Sequence, residues 1–286
     1  MLTVGQDSPL IDINSGKYIQ ALEFAVNGEY LVSGGYEVRV WRVEDGKQMA
    51  AMAVDSGPVQ CLAASKDGRW IAAGTRGGNM FVWDAKTYEK VFLHCEDYRD
   101  INGVDFSPDS TRLDSASPHA TASTWDIETR KRVQTLRHGD WVRAAKYSPQ
   151  GDRIATATGY SIRVWDSNDG RLLMDIKVSV TPLRNTGLLW FNNYIFVVSN
   201  GKIKQIEAST GSAFSKWSVA ETNDFSCIAL PKHGGFIAYS TRRTVTFWDT
   251  ATHTQLGLIQ HSEDIRSIAL SPDDRNCWWM GGENHY

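Results

Sequence analysis

Apolar and polar positions alternate with a period of two along much of this chain, in short runs broken by turns. In Ser161-Ile162-Arg163-Val164-Trp165 the two kinds of side chain interleave. Tyr194-Ile195-Phe196-Val197-Val198 and Lys202-Ile203-Lys204-Gln205-Ile206 carry the same β-branched and aromatic residues. Runs of this kind read as half-buried β-strands, and no window sustains the 3.6-residue period of a helix. The strands come in fours. Residues 142–147, 153–158, 161–166 and 172–178 form one such group, its first three runs separated by Gly-, Asp- or Ser-Pro-containing turns.

Two markers set the phase of the groups. Trp41, Trp83, Trp125, Trp165 and Trp248 are spaced by 42, 42, 40 and 83 residues, which leaves room for one further unit centred on Ile206. An apolar residue just before a turn recurs at Phe24, Ala64, Phe106, Tyr147, Leu189, Leu230 and Leu270. The turns after it read Ser107-Pro108-Asp109, Ser148-Pro149-Gln150-Gly151 and Ser271-Pro272-Asp273, or a relic such as Lys66-Asp67-Gly68. A period near 41 suits a four-stranded blade, and 286 residues accommodate seven of them. A single such sheet cannot bury its own faces, whereas blades stacked radially cover one another. The expectation is an all-β, seven-bladed β-propeller filling residues 1–286 as one domain.

Four of the five periodic tryptophans are followed by aspartate: Asp84, Asp126, Asp166 and Asp249. With the Ser-Pro-Asp turns and a His before the next blade (His94, His138 and His261), these pairs make the whole chain resemble the WD40-repeat family. The resemblance implies a structural role for Trp41, Trp83, Trp125, Trp165, Trp248, His94, His138 and His261. It also implies a hydrogen-bonded link from His through a Ser or Thr to the Trp, for example His138 with Thr156 or Thr158 and Trp165. The turn aspartate that completes such a link in the family is replaced here by Arg76, His119, Tyr160 and Arg242. The fifth unit departs furthest, with Ile206 at the Trp position, yet it keeps its alternation.

The last unit, 261–286, holds sequence for two strands, and its Trp position would fall at 287–289. Residues 2–13 align with the stretch from Trp165 to Ile176. The expected closure therefore has both termini building the seventh blade, with a short or gapped third strand. The alternative is that more protein follows Tyr286.

Composition narrows the function classes. The formal charge is −3 and the chain is 42% apolar. That disfavours nucleic-acid or membrane-surface binding driven by bulk positive charge, so neither kind of partner is expected. No apolar run approaches 18 residues, and the N-terminus lacks a basic and apolar leader pattern. An intracellular location, cytoplasmic or nuclear, follows as an expectation. Cys61, Cys95, Cys227 and Cys277 have no metal-ligand spacing, and read as small buried thiols in a reducing compartment. No nucleophile elbow, phosphate loop, dinucleotide fingerprint or zincin motif is present. Catalytic residues, cofactors and metals are accordingly not expected.

Function then falls to the ring's faces. In propellers resembling this family, partners dock where the loops entering the first strand and those joining the second and third strands emerge. By phase, those positions hold Tyr18, Arg76, Asp100, Asn102, Trp141, Arg143, Tyr160, Asp264 and Arg266. Tyr, Trp and Arg are the residue types that anchor binding hot spots. The expectation is a scaffold, monomeric on its own, gripping a peptide with a basic or bulky group between Trp141, Tyr160 and Asp100. The competing class is a propeller enzyme, a metal-assisted hydrolase or lyase, with its site at the central channel and Asp100, Asp224 and Asp264 as acids.

Overall fold

The computed structural model describes residues 19–95, 99–178, 187–199, 202–218, 225–231, 233–241, 243–261, 264–271 and 277–281. Six antiparallel sheets of four strands follow one another along the chain. Blade 1 comprises Ile19–Ala25, Tyr30–Gly35, Glu37–Arg42 and Gln48–Ala53, and blade 2 Val59–Ala64, Trp70–Thr75, Asn79–Asp84 and Lys90–Cys95. Blade 3 comprises Gly103–Phe106, Arg112–Ser117, Thr121–Asp126 and Arg132–Arg137, and blade 4 Ala144–Tyr147, Arg153–Ala157, Ser161–Asp166 and Leu172–Lys177. Blade 5 runs through Leu188–Phe191, Tyr194–Ser199, Lys202–Glu207 and Ala213–Ser218. Blade 6 runs through Phe225–Ala229, Phe236–Thr241, Thr244–Asp249 and Gln255–Gln260. Among the described residues no helix is long and apolar enough to cross a membrane.

The expectation of seven blades is corrected to six. The last unit forms a two-stranded sheet, Ile265–Leu270 paired with Cys277–Gly281, rather than a blade. Its sequence holds two strand-length runs before residue 282, so strands three and four are not built from it. The N-terminal strand expected at 1–13 lies outside the described residues. The small sheet nevertheless sits in the ring. The Leu22 N–H of blade 1 donates to Ser267 Oγ (3.1 Å), and the Ile268 N–H contacts Cys227 Sγ of blade 6 (3.1 Å).

Each blade is held by the same local chemistry. At the first turn Ser107 Oγ accepts from the Arg112 N–H at 2.9 Å and lies 2.5 Å from Asp109 Oδ1. Ser65 with Asp67 and Trp70, and Ser148 with Asp152 and Arg153, repeat the arrangement. In four blades the aspartate after the Trp caps the turn into the fourth strand: Asp166 Oδ1 accepts from the Asn168 N–H (2.8 Å), and Asp84, Asp126 and Asp249 do likewise. A bulge precedes the Trp position in every blade, including Ile206 in blade 5. Blade 5 keeps the frame with other residues: the Ala208 N–H donates to Asn193 O (2.7 Å), as the Ser167 N–H does to Asp152 O in blade 4 (3.0 Å).

Five residues after the Trp position the chain turns left-handed in all six blades. Glycine serves at Gly46, Gly170 and Gly211, but Tyr88, Arg130 and His253 hold φ of 61°, 59° and 57°. A side chain costs about 1–2 kcal/mol in that region, partly offset by glycine's larger freedom when unfolded. Arg130→Gly should therefore raise stability by about 0.5–1 kcal/mol, and Gly170→Ala should lower it by about 1 kcal/mol, measured as urea midpoints.

Seven apolar clusters fill the seams between consecutive units. Examples are Val32, Val38 and Val59 between blades 1 and 2, and Leu136, Val142 and Trp165 between blades 3 and 4. Ala269 of the small sheet joins Leu22, Phe24 and Trp41 of blade 1. Polar side chains stitch the innermost strands, whose inner edges have no neighbouring strand within the blade. Gln60 Nε2 donates to Asp100 (2.8 Å), Asn102 Nδ2 to Val142 O (2.9 Å), Lys146 Nζ to Asp105 (2.7 Å), and the Tyr147 N–H to Asp105 (2.9 Å). Each pair is separated by 40 to 42 residues, one repeat. Cys61 and Cys227 are free thiols inside these seams, and burial pushes them up to about 12 and about 11. The side chains of Cys95 and Cys277 lie outside the described residues.

Candidate protein-binding face

Because the strands of a blade alternate in direction, the loops entering the first strand and the turns joining the second to the third emerge at one end of the ring. Tyr18 lies outside the described residues, and the other eight candidates are placed at this end. Arg76 is exposed at the turn of blade 2, its N–H bound to Pro58 O (2.9 Å). Asp100 and Asn102 are committed to the stitching just described, which places them in the frame of the ring. Asp264 accepts from Arg243 Nε (3.3 Å), and Arg143 and Arg266 are half-buried near the inner strands.

Trp141 and Tyr160 stand apart. They are 55% and 74% exposed, against the buried tryptophans of the repeat. Asp140 Oδ2 accepts from the Gly159 N–H (3.2 Å), which ties the loop carrying Trp141 to the turn carrying Tyr160. The turn is built internally as well: Thr158 Oγ1 accepts from the N–H groups of Tyr160 (3.2 Å) and Ser161 (3.1 Å). Two large aromatic side chains are thus held out to solvent on a closed, hydrogen-bonded base. The bulky end of the expected platform is brought together here, while Asp100 is on the neighbouring blade with its carboxylate bound to Gln60.

Below this surface the repeat residues form a polar relay. Trp165 Nε1–H donates to Thr156 Oγ1 (2.8 Å), and Thr156 Oγ1 meets His138 Nε2 (2.8 Å), whose Nδ1 lies 3.0 Å from Leu136 O. Burial pushes His138 down to about 4, so the imidazole is neutral and can donate through Nδ1 and accept through Nε2. Trp41 and Trp125 donate to Ser33 (2.8 Å) and Ser115 (3.1 Å). His94 packs on the Trp125 ring, with centroids 3.9 Å apart. In blade 5 both sides of the relay are apolar, Ile206 against Val197. In blade 6 Tyr239 takes the hydroxyl position, and Trp248 Nε1–H finds no acceptor among the described residues. Trp83 is fully buried beside Phe81, and the His261 N–H donates to Arg243 O (2.8 Å).

From the sequence Asp140 was weighed as an ion-pair partner of Arg143, and its bond to the Gly159 N–H was not foreseen. The buried Asp114 and the group Glu23, Asp105 and Lys146 on the inner strands were also missed, because each interacts with a residue of another blade that no local spacing marks. Among the described residues no group of three or more His, Cys, Asp or Glu could hold a metal ion.

Six four-stranded blades sharing apolar seams define a β-propeller. The family model described as WD domain, G-beta repeat matches residues 46–84 and 130–166, covering the end of blade 1 with most of blade 2, and the seam into blade 4. The chain is 22% identical to WD repeat-containing protein 18 of Danio rerio, over 88% of this chain and 65% of that protein. It is likewise 22% identical to the protein of that name from Homo sapiens, over 86% of this chain and 61% of that protein. A shorter match, 27% identical over 43% of this chain and 32% of the relative, is to the pre-rRNA-processing protein crb3/ipi3 of Schizosaccharomyces pombe. The matched WD40 repeats and the relatives named WD repeat-containing protein 18 support a WD40-repeat family for this chain. It spans 61 to 65% of the length of the two full-coverage relatives.

Proposed function

We propose that this protein is a non-catalytic interaction scaffold that binds a protein or peptide partner on the end of the ring carrying Trp141 and Tyr160. The observation that supports this reading is the exposed aromatic pair fixed by the Asp140–Gly159 bond. Exposed aromatic side chains on a preordered base lose little conformational entropy on binding and give up much apolar surface to a partner. Two of the acids named for the enzyme reading are engaged within the ring, Asp100 by Gln60 and Asp264 by Arg243, and Asp224 lies outside the described residues. The name of one relative speaks of pre-rRNA processing. We place this chain's partners by that likeness among intracellular, nuclear assemblies.

The test is affinity purification with quantitative mass spectrometry, comparing the wild type with a Trp141→Ala, Tyr160→Ala double variant. At least one partner recovered with the wild type should fall by about tenfold or more, since loss of a hot-spot aromatic costs about 2 kcal/mol or more. Thermal melting should be unchanged, because both side chains are largely in solvent. Unaltered recovery of every partner would remove this face from consideration.

A further inference from the structure

The charges around the aromatic pair indicate the chemistry of its occupant. The fourth strand of blade 3 ends at Arg137 and that of blade 4 ends at Lys177, so these two cations flank the loop carrying Trp141 and the turn carrying Tyr160. Lys177 is coupled to the turn directly, since the next residue, Val178, donates its N–H to Tyr160 O (3.1 Å). Arg163 lies between them, with Nη1 donating to Arg137 O (3.2 Å) and Nη2 3.1 Å from Asp175. Lys177 Nζ reaches the same carboxylate at 3.1 Å, so Asp175 serves two cations. The other nearby carboxylate, Asp140, is engaged by the Gly159 N–H. Arg137 is exposed and has no ion pair among the described residues, and the Lys177 side chain is 77% exposed.

This corner therefore carries a local excess of positive charge in a chain whose net charge is −3. A basic peptide approaching Trp141 and Tyr160 would meet Arg137 and Lys177, while the carboxylate of Asp175 is already shared by two cations. An acidic one would gain charge-assisted contacts on both sides of the apolar seat. From the joined loops and their flanking cations we infer that the occupant is an acidic peptide segment, which lays a bulky apolar side chain between Trp141 and Tyr160 and sets carboxylates against Arg137 and Lys177. The inference rests on the scaffold reading above and, of the basic or bulky group expected from sequence, keeps the bulky one. The basic alternative leaned on Asp100, whose carboxylate accepts from Gln60.

The test uses two fluorescein-labelled peptides with the same central Leu and Phe, one flanked by glutamates and the other by lysines, read by fluorescence anisotropy against the full chain. The acidic peptide should bind at least about tenfold more tightly than the basic one, and its affinity should fall severalfold between 0.1 and 0.5 M salt as exposed charges are screened. Lys177→Glu and Arg137→Glu should each weaken it about fivefold, with melting temperatures unchanged. Trp141→Ala should weaken it about tenfold. Tighter binding of the basic peptide that still depends on Trp141 would overturn the acidic assignment and leave the scaffold reading standing. Acidic binding indifferent to Trp141 and Tyr160 would overturn the seat itself, and binding of neither peptide at millimolar concentration would overturn the inference.

Discussion

Gly74→Ala is expected to destabilise the protein by about 2–3 kcal/mol, although it adds a single methyl group. Gly74 lies one residue before the end of the second strand of blade 2, where that strand presses against the chain entering blade 3. A Cβ built there would stand 2.7 Å from Cys61 Sγ and 2.7 Å from Ile101 Cβ, both inside van der Waals contact. Neither neighbour can withdraw cheaply. Ile101 is fully buried in the seam, and Cys61 Sγ donates to Ile101 O at 3.4 Å. Chemical denaturation measures the effect. Gly235→Ala serves as control, since nothing lies within 4 Å of the place its methyl group would take, and it should change stability by less than about 0.5 kcal/mol. Cys61→Ala in the Gly74→Ala background, which removes the sulfur 2.7 Å from the added methyl group, should recover part of the loss. A cost for Gly74→Ala no greater than for Gly235→Ala would mean that the seam is looser than described.

The second large effect is a pH dependence centred on Asp114. This carboxylate is buried in the seam between blades 3 and 4, where it accepts from Thr124 Oγ1 (2.6 Å) and from Tyr147 Oη (3.0 Å). Its second oxygen has no partner among the described residues. Burial raises it from 3.8 to about 7 despite those two hydrogen bonds. Because the folded state holds the proton more tightly than the unfolded chain, the stabilising contribution is present below about pH 4. It is lost as pH rises through 7, by about 4 kcal/mol for a shift of about three units. Glu23 on the inner strand of blade 1 is raised to about 7 as well, mainly by burial with Lys146 opposing, and adds in the same direction. His138 opposes both: its lowered value withdraws stability as pH falls from 6.5 towards 4. The difference between wild type and Asp114→Asn isolates one group. Stability of the wild type relative to this variant should decline by about 4 kcal/mol between pH 4 and pH 8. A difference independent of pH would contradict the buried, protonated carboxyl.

The repeat was legible because each blade encodes itself within about 40 residues. Trp165 with Asp166, Ser148 with its turn, and Gly170 at the left-handed position all act on neighbours in the same sheet. Their spacing exposes them without any knowledge of the ring. Blade 5 was recognisable although Ile206 replaces the tryptophan, because it keeps the repeat spacing and the alternation of its strands. The blade count was misjudged at the last unit, where phase alone suggested a blade and the described strands make a two-stranded sheet.

The binding face was legible only in part. Trp141 and Tyr160 could be assigned to one end of the ring by phase, but Asp100 and Asn102 looked equally available at the same kind of position. Their use depends on Gln60 and Val142 in adjacent blades, and no local signature marks such a pairing. The same holds for Asp140 turned to Gly159, and for Arg137 and Lys177 brought to either side of the aromatic pair.

By itself, then, the sequence determined the strand period, the 41-residue repeat, the turn chemistry and the propeller class, since these arise from contacts within one blade. Tertiary structure decided which polar side chains the seams consume, which carboxylates they bury as acids, and which aromatics and cations remain outside. Those outcomes depend on the register of one blade against the next, where side chains a full repeat apart compete for the same donors and acceptors.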